Sequence, residues 1–248
     1  MSTKLIVPKV ITNKKPKIVF WDLETTNLNA NFGYLLCTGY KELGDKKAKV
    51  ISISDFPSFK SDPTNDKFLV EEFRKVLAEA DVTLGWYSSR FDVPYMSSRL
   101  LYHGLDVLPP TPHIDLWRTA RYKLRLNSNR LASVAAFLDL EEKTPLTGPI
   151  WIKAAAGDKK SIEYVKEHCL QDVEVLEQAY LKLRPLVAQH PNLGLMSGRD
   201  FHCPYCGSSK LQKRGFLVTP TRRYQRQHCQ SCGAWSKDKK ALETATTA

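Results

Sequence analysis

Two Cys-x-x-Cys pairs, Cys203-Pro204-Tyr205-Cys206 and Cys229-Gln230-Ser231-Cys232, stand 22 residues apart in a chain of 248 residues. No other pattern in the sequence restricts geometry as tightly. Four thiolates so spaced can converge on one tetrahedral ion, and Zn²⁺ suits that donor set. With protein at all four positions the site is closed, hence structural. Gly207 and Gly233 follow the pairs and supply turns. The stretch 211–226 alternates as a hairpin, with Leu211, Phe216, Val218 and Tyr224 as apolar anchors. So short a segment holds little core, and its folding is expected to depend on the metal. Cys37 and Cys169 stand alone in apolar surroundings. This is metal-ligand usage in a reducing compartment, taken as the cytoplasm, and not a secreted disulfide framework.

The same region carries most of the charge. The chain has 37 Lys and Arg against 26 Asp and Glu, a net charge of +11. Residues 199–240 alone hold ten basic residues and two acids. Such an excess points to a polyanionic partner, nucleic acid ahead of an anionic membrane. No apolar run is long enough to span a membrane, and the N-terminus lacks the features of a signal peptide.

The rest of the chain reads as a mixed α/β sheet with flanking helices. Strands are expected at residues 18–21, 34–40 and 50–53, joined by short links and hence antiparallel. Further strands are expected at 82–85 and 113–116. Helical spacing marks 68–80, 93–103 and 131–140, and Ser161 is expected to cap a long helix to residue 184. The expected division is an N-terminal arm (1–16), a large domain (17–188), a linker (189–198), the cysteine module (199–240) and a tail (241–248).

Asp22 and Glu24 close the first strand, and period-2 alternation puts both on one sheet face. Two acids there repel unless a cation holds them. Asp92 falls at a strand-to-helix junction, where it reads equally as a helix cap. Asp172 sits on an apolar helix face among Cys169, Val173 and Leu176, a costly place for an acid that is neither paired nor bound to metal. His168 lies one turn before it and Tyr164 one turn before that.

These residues carry a resemblance. Trp21-Asp22-Leu23-Glu24-Thr25-Thr26, the run from Gly85 to Phe91-Asp92, and His168-Cys169-Leu170-Gln171-Asp172-Val173 resemble, in order, the three motifs of the DEDD exonucleases. That RNase H-like superfamily includes polymerase proofreading domains, and the third motif is closest to the family B polymerase form. The resemblance covers about residues 17–186. It implies an RNase H-like fold in which Asp22, Glu24, Asp92 and Asp172 hold two Mg²⁺ or Mn²⁺ ions. It implies release of nucleoside 5′-monophosphates from a 3′ end. The family orients its attacking water with a Tyr four residues before the last Asp or a His five before it. This chain has His168 at four, so His168 is a candidate general base and Tyr164 the alternative. Strand contacts are implied for Thr25 and for Tyr87, where proofreading domains usually carry Asn. The cysteine module resembles zinc ribbons of replication, transcription and transposition proteins.

Arg118, Arg121, Lys123, Arg125 and Arg130 form a basic run beside Trp117 and Tyr122, readable as a solvated face or as a track for a substrate backbone. In the ribbon, Lys213, Arg214, Arg222, Arg223 and Arg226 are the candidate contacts to nucleic acid. The ribbon could instead dock a replication or repair protein. The expectation is a 3′–5′ exonuclease with an RNase H-like core and a small C-terminal zinc ribbon, acting on single-stranded DNA ahead of RNA. A structure-selective endonuclease and a non-catalytic nucleic-acid-binding protein are the alternatives. Nothing in the sequence bears on oligomeric state.

Overall fold

The computed structural model describes residues 15–140, 147–199 and 201–246. The chain divides between Gln189 and His190 into two compact units. The expected N-terminal arm lies, but for its last two residues, outside the described residues.

Lys17–Gln189 contains β1 (Ile18–Thr25), β2 (Leu35–Glu42), β3 (Lys49–Ser52), α1 (Lys67–Ala78), β4 (Val82–Gly85), α2 (Asp92–Tyr102) and β5 (His113–Asp115). It continues with α3 (Leu116–Lys123), α4 (Leu131–Phe137), α5 (Gly148–Ala155) and α6 (Lys159–Leu183). The sheet order is β3-β2-β1-β4-β5. The first three strands pair antiparallel, and β4 and β5 run parallel to β1. This is the mixed sheet with flanking helices that the sequence implied.

β1 is central and buried on both faces. Phe20 packs against Tyr180 of α6 with ring centres 5.4 Å apart. Trp21, pointing the other way, packs on Phe73 of α1 at 5.6 Å. Both rings are fully buried, and truncating either to Ala should cost about 3–5 kcal/mol. Alternation then decides the placement of the acids: Asp22 and Glu24 follow Phe20 onto the α6 face. Gly39 lies opposite Asp22 in the β1–β2 register. A Cβ there would come within 2.9 Å of Cys169 Sγ and 3.0 Å of Val173 Cγ2. Glycine thus lets α6 lie close against the sheet, and that approach brings the His168–Asp172 turn to the end of β1.

Three details differ from expectation. First, α6 begins at Lys159, and its cap is Asp158, whose carboxylate accepts Ser161 N–H at 2.9 Å and Ser161 Oγ–H at 2.6 Å. Ser161 is therefore inside the first turn, because the ionised acid just before the helix is the stronger acceptor. Second, α3 and α5 have no counterpart among the expected helices. α3 buries only Leu116, Thr119 and Ala120 under its charges, and α5 starts at Gly148-Pro149, which resembles a loop although proline suits a first helical turn. The loop expected at 144–149 lies partly outside the described residues. Third, α2 starts at Asp92 with Phe91 in the cap position.

The second unit holds α7 (Leu193–Met196) and a sheet of β6 (Leu211–Val218), β7 (Arg222–Cys229), β8 (Trp235–Lys237) and β9 (Glu243–Thr244). The segment expected to be a linker is part of it: Asn192 caps α7, and Leu193 N–H donates to the Pro204 carbonyl at 2.9 Å. The expected tail also contributes, since β9 pairs with β7 and Glu243 meets Arg223 at 3.2 Å. The hairpin forms as expected. Its anchors hold in part: Tyr224 is buried and Leu211 packs against the cysteines, whereas Phe216 is 43% and Val218 70% exposed. The small core is Cys203, Cys229 and Ala234, joined by Tyr205 and Leu211. The cysteine cluster takes the place of an apolar interior, which frees the hairpin's far end. Among the described residues no helix is long and apolar enough to cross a membrane.

Candidate metal centres and nucleic-acid groove

At the end of β1, carboxylate oxygens of Asp22 and Glu24 lie within 4.8 Å of each other and of Cys169 Sγ. Glu24 also shares a 4.8 Å cluster with Asp172 and His168. The Cys169 thiol is held protonated by its hydrogen bond with Cys37 and by burial, so it is a poor ligand. The donors left are the His168 imidazole and carboxylate oxygens, and the oxygens are what hard divalent cations such as Mg²⁺ or Mn²⁺ take.

Asp92 joins this centre by a different route. It does not cap α2. Its Oδ1 accepts the N–H of Leu23 at 3.1 Å, between the two acids of β1. Burial pushes its carboxyl up to about 7, against the bond from Leu23 and with Asp115 adding negative charge. A nearby cation would relieve that penalty. Asp92 itself is in neither 4.8 Å cluster. His168 Nε2 stands 3.8 Å from Asp172 Oδ1, one turn along α6.

His168 and Asp172 open onto a groove. Tyr87, Trp117, Arg121 and Arg130 line a cavity of about 990 Å³ that also reaches His168 and Asp172. The Tyr87 and Trp117 rings meet edge to face at 5.0 Å. The basic run therefore splits. Arg121 and Arg130 face the groove, while Arg118 and Lys123 line a separate cavity of about 230 Å³ and Arg125 lines neither. Thr25 is buried, and its hydroxyl donates to the Asn27 carbonyl at 2.9 Å, inside its own turn. In the sequence Trp117 is visible only as the residue before the basic run. Its place on α3 puts it on one face with Arg121, four residues on.

In the ribbon, Cys203 and Cys232 sulfurs are 3.6 Å apart, as are those of Cys206 and Cys229. A disulfide needs about 2.05 Å. Four thiolates about 2.3 Å from a tetrahedral Zn²⁺ stand roughly 3.8 Å from one another, so the cluster could hold zinc. Burial raises the Cys206 thiol to about 11. Burial also pushes Cys229 up, but N–H bonds from Cys232 and Ser231 outweigh it and bring it to about 7.

Alternation along β7 sorts the basic residues of the hairpin. Arg222, Tyr224, Arg226 and His228 share one face, where Arg226 lies 5.1 Å from the Trp235 ring and Lys237 3.9 Å from that of Tyr224. Arg223 turns to the other face, over Phe216 and against Glu243. Lys213 is exposed, and Arg214 Nε donates to Gln212 at 3.1 Å.

The family model of the RNase H superfamily matches residues 19–184. No curated protein sequence matches the chain. Among solved structures, the chain is similar to the family B DNA polymerase from the hyperthermophilic archaeon Pyrobaculum calidifontis. The TM-score is 0.57 and the identity 14%, over 84% of this chain and 31% of the polymerase. The chain thus spans under a third of that polymerase, and the likeness is one of fold.

Proposed function

We propose that this chain, which belongs to the RNase H superfamily, is a metal-dependent 3′–5′ exonuclease acting on single-stranded nucleic acid, DNA ahead of RNA. One observation carries the reading. Glu24 of β1 clusters with Asp172 and the imidazole of His168 on α6, and Asp172 and His168 line a groove walled by aromatic and basic side chains.

Asp22, Glu24, Asp92 and Asp172 are the residues that would hold two Mg²⁺ or Mn²⁺ ions. Such ions activate the attacking water and stabilise charge on the departing 3′-oxygen. His168 would orient that water and accept its proton as general base. Tyr164, one turn further back on α6, is the competing candidate. Arg121 and Arg130 bind the strand's phosphates. Tyr87 and Trp117 offer ring surfaces to unpaired bases. Cys203, Cys206, Cys229 and Cys232 would hold one structural Zn²⁺, and the Arg226–Trp235 face of the ribbon would bind nucleic acid through charge and stacking.

The experiment is a digestion panel. The purified protein is given end-labelled ssDNA, dsDNA, ssRNA, a DNA–RNA hybrid and a covalently closed single-stranded circle, each with Mg²⁺ or Mn²⁺. The expected result is stepwise shortening of linear single strands from the 3′ end and an intact circle. Cleavage of the circle would replace this reading with an endonuclease, and no turnover with either metal would leave a binding protein.

A further inference from the structure

Tyr87 has φ 61°, a left-handed backbone that few residues besides Gly and Asn adopt readily. A bulky side chain stays there only when its surroundings compel it. Here the compulsion comes from β5. Tyr87 N–H donates to Asp115 Oδ1 at 2.9 Å, and Ser89 N–H donates to Asp115 Oδ2 at 3.1 Å. Between them, Ser88 Oγ lies 2.8 Å from His113 Nε2, and the other ring nitrogen is 2.9 Å from Thr83 Oγ1. Gly85 leaves room for this turn, because a Cβ there would run into the Ser88 side chain.

Asp115 also acts on a second segment. Its Oδ1 accepts Trp117 N–H at 3.2 Å, at the start of α3. Helix capping accounts for that bond and not for the bonds to Tyr87 and Ser89. One carboxylate, 7% exposed, therefore fixes the two backbone segments whose rings meet on the groove wall.

We propose that Asp115 is a positioning residue that sets the Tyr87–Trp117 wall and thereby the groove's grip on an unpaired base at a strand end. The proposal rests on the nuclease reading for its ligand class. Aromatic faces stack with any unpaired base, at about 1–3 kcal/mol per base, whereas a paired terminal base is already stacked in its duplex.

The test uses Asp115→Asn, which keeps the shape but sets an NH₂ against an N–H donor. The full chain is titrated with a dye-labelled single-stranded oligonucleotide, with no Mg²⁺ or Mn²⁺ added. Affinity should fall about tenfold for the single strand and within twofold for a blunt duplex. With metal added, KM should rise about tenfold while kcat stays within about twofold. In a Tyr87→Gly background the Asp115→Asn effect on affinity should shrink to about twofold or less, since the ring it positions is gone. If Asp115→Asn lowers Tm, adding Tyr87→Gly should recover part of the loss, because glycine holds φ 61° without a clamp. Unchanged single-strand affinity, equal losses with and without the Tyr87 ring, or no recovery of Tm would each overturn the proposal. Because affinity is read without turnover, an inactive wild type that still shows the tenfold loss would refute the nuclease reading and leave this one standing. A wild type that binds no oligonucleotide refutes both.

Discussion

Glu24, at the end of β1, and Asp172, in the middle of α6, bring carboxylate oxygens within 4.8 Å of each other. Neither strand nor helix needs two anions there for its own stability. The arrangement holds because Gly39 lets α6 approach the sheet and because alternation turns Glu24 towards that helix. Under the proposed function a cation between the acids offsets their repulsion, and a third acid, Asp92, accepts the N–H of Leu23 beside them.

Asp92 is pushed up to about 7 by burial, so below that pH the metal-free protein carries it protonated. By linkage the neutral form is preferred in the fold: the contribution is full below the ordinary carboxylate range and is lost as pH rises through about 7. Binding of Mn²⁺ must expel the proton. Calorimetry in two buffers of different ionisation enthalpy should show close to one proton released at pH 6 and almost none at pH 8. Asp92→Asn should remove the difference.

His113 is driven the opposite way. Burial lowers it to about 4, and its two ring nitrogens face Thr83 and Ser88. A group lowered in the fold supports stability above its unfolded value, near 6.5, and loses it as pH falls towards 4. The full loss is about 3 kcal/mol. Urea unfolding at pH 7 and pH 4.5 should show a larger drop for the wild type than for His113→Gln. Equal drops would mean that other groups carry the acid sensitivity.

The split of the basic run gives a salt test. Arg121→Ala with Arg130→Ala should flatten the dependence of log affinity on log salt by about 0.7 for each phosphate no longer neutralised. Arg118→Ala with Lys123→Ala, on the other cavity, should leave the slope unchanged. A common effect of both pairs would return the run to a diffuse solvated face.

Much of this is readable from residues alone, for identifiable reasons. Phe20, Asp22 and Glu24 share a face because a strand has period two, and the cysteine spacing is set by the chain's reach around one ion. The inner face of α6, with Val165, Cys169 and Leu176, follows from 3.6-residue spacing. α3 is hidden because three basic residues cover its short apolar side. The bonds that position Asp92 and Asp115 are hidden because each accepts N–H bonds from a segment distant in sequence, and no local pattern records such a bond. Ser161 passes for the cap because two competent caps stand three residues apart, and only geometry decides between them.

The ribbon should come apart alone when its metal is taken. Cys229→Ser, or a zinc chelator, should remove the β6–β7 amide dispersion in an NMR spectrum, while the thermal transition of Lys17–Gln189 moves by less than about 2 °C. Cutting after Gln189, which removes α7 with the ribbon, should weaken binding of long strands more than turnover of a short oligonucleotide. Retained ribbon dispersion in Cys229→Ser without metal would contradict a zinc-held fold.

The most direct test of the account is nuclease activity of Asp22→Ala/Asp172→Ala, measured on end-labelled linear ssDNA with Mn²⁺ alongside its circular dichroism spectrum and melting curve. The account predicts a wild-type spectrum, an unchanged or higher Tm as mutual repulsion is relieved, and a rate at least a thousandfold lower, about 4 kcal/mol in barrier. Undiminished digestion by the folded double variant would contradict it.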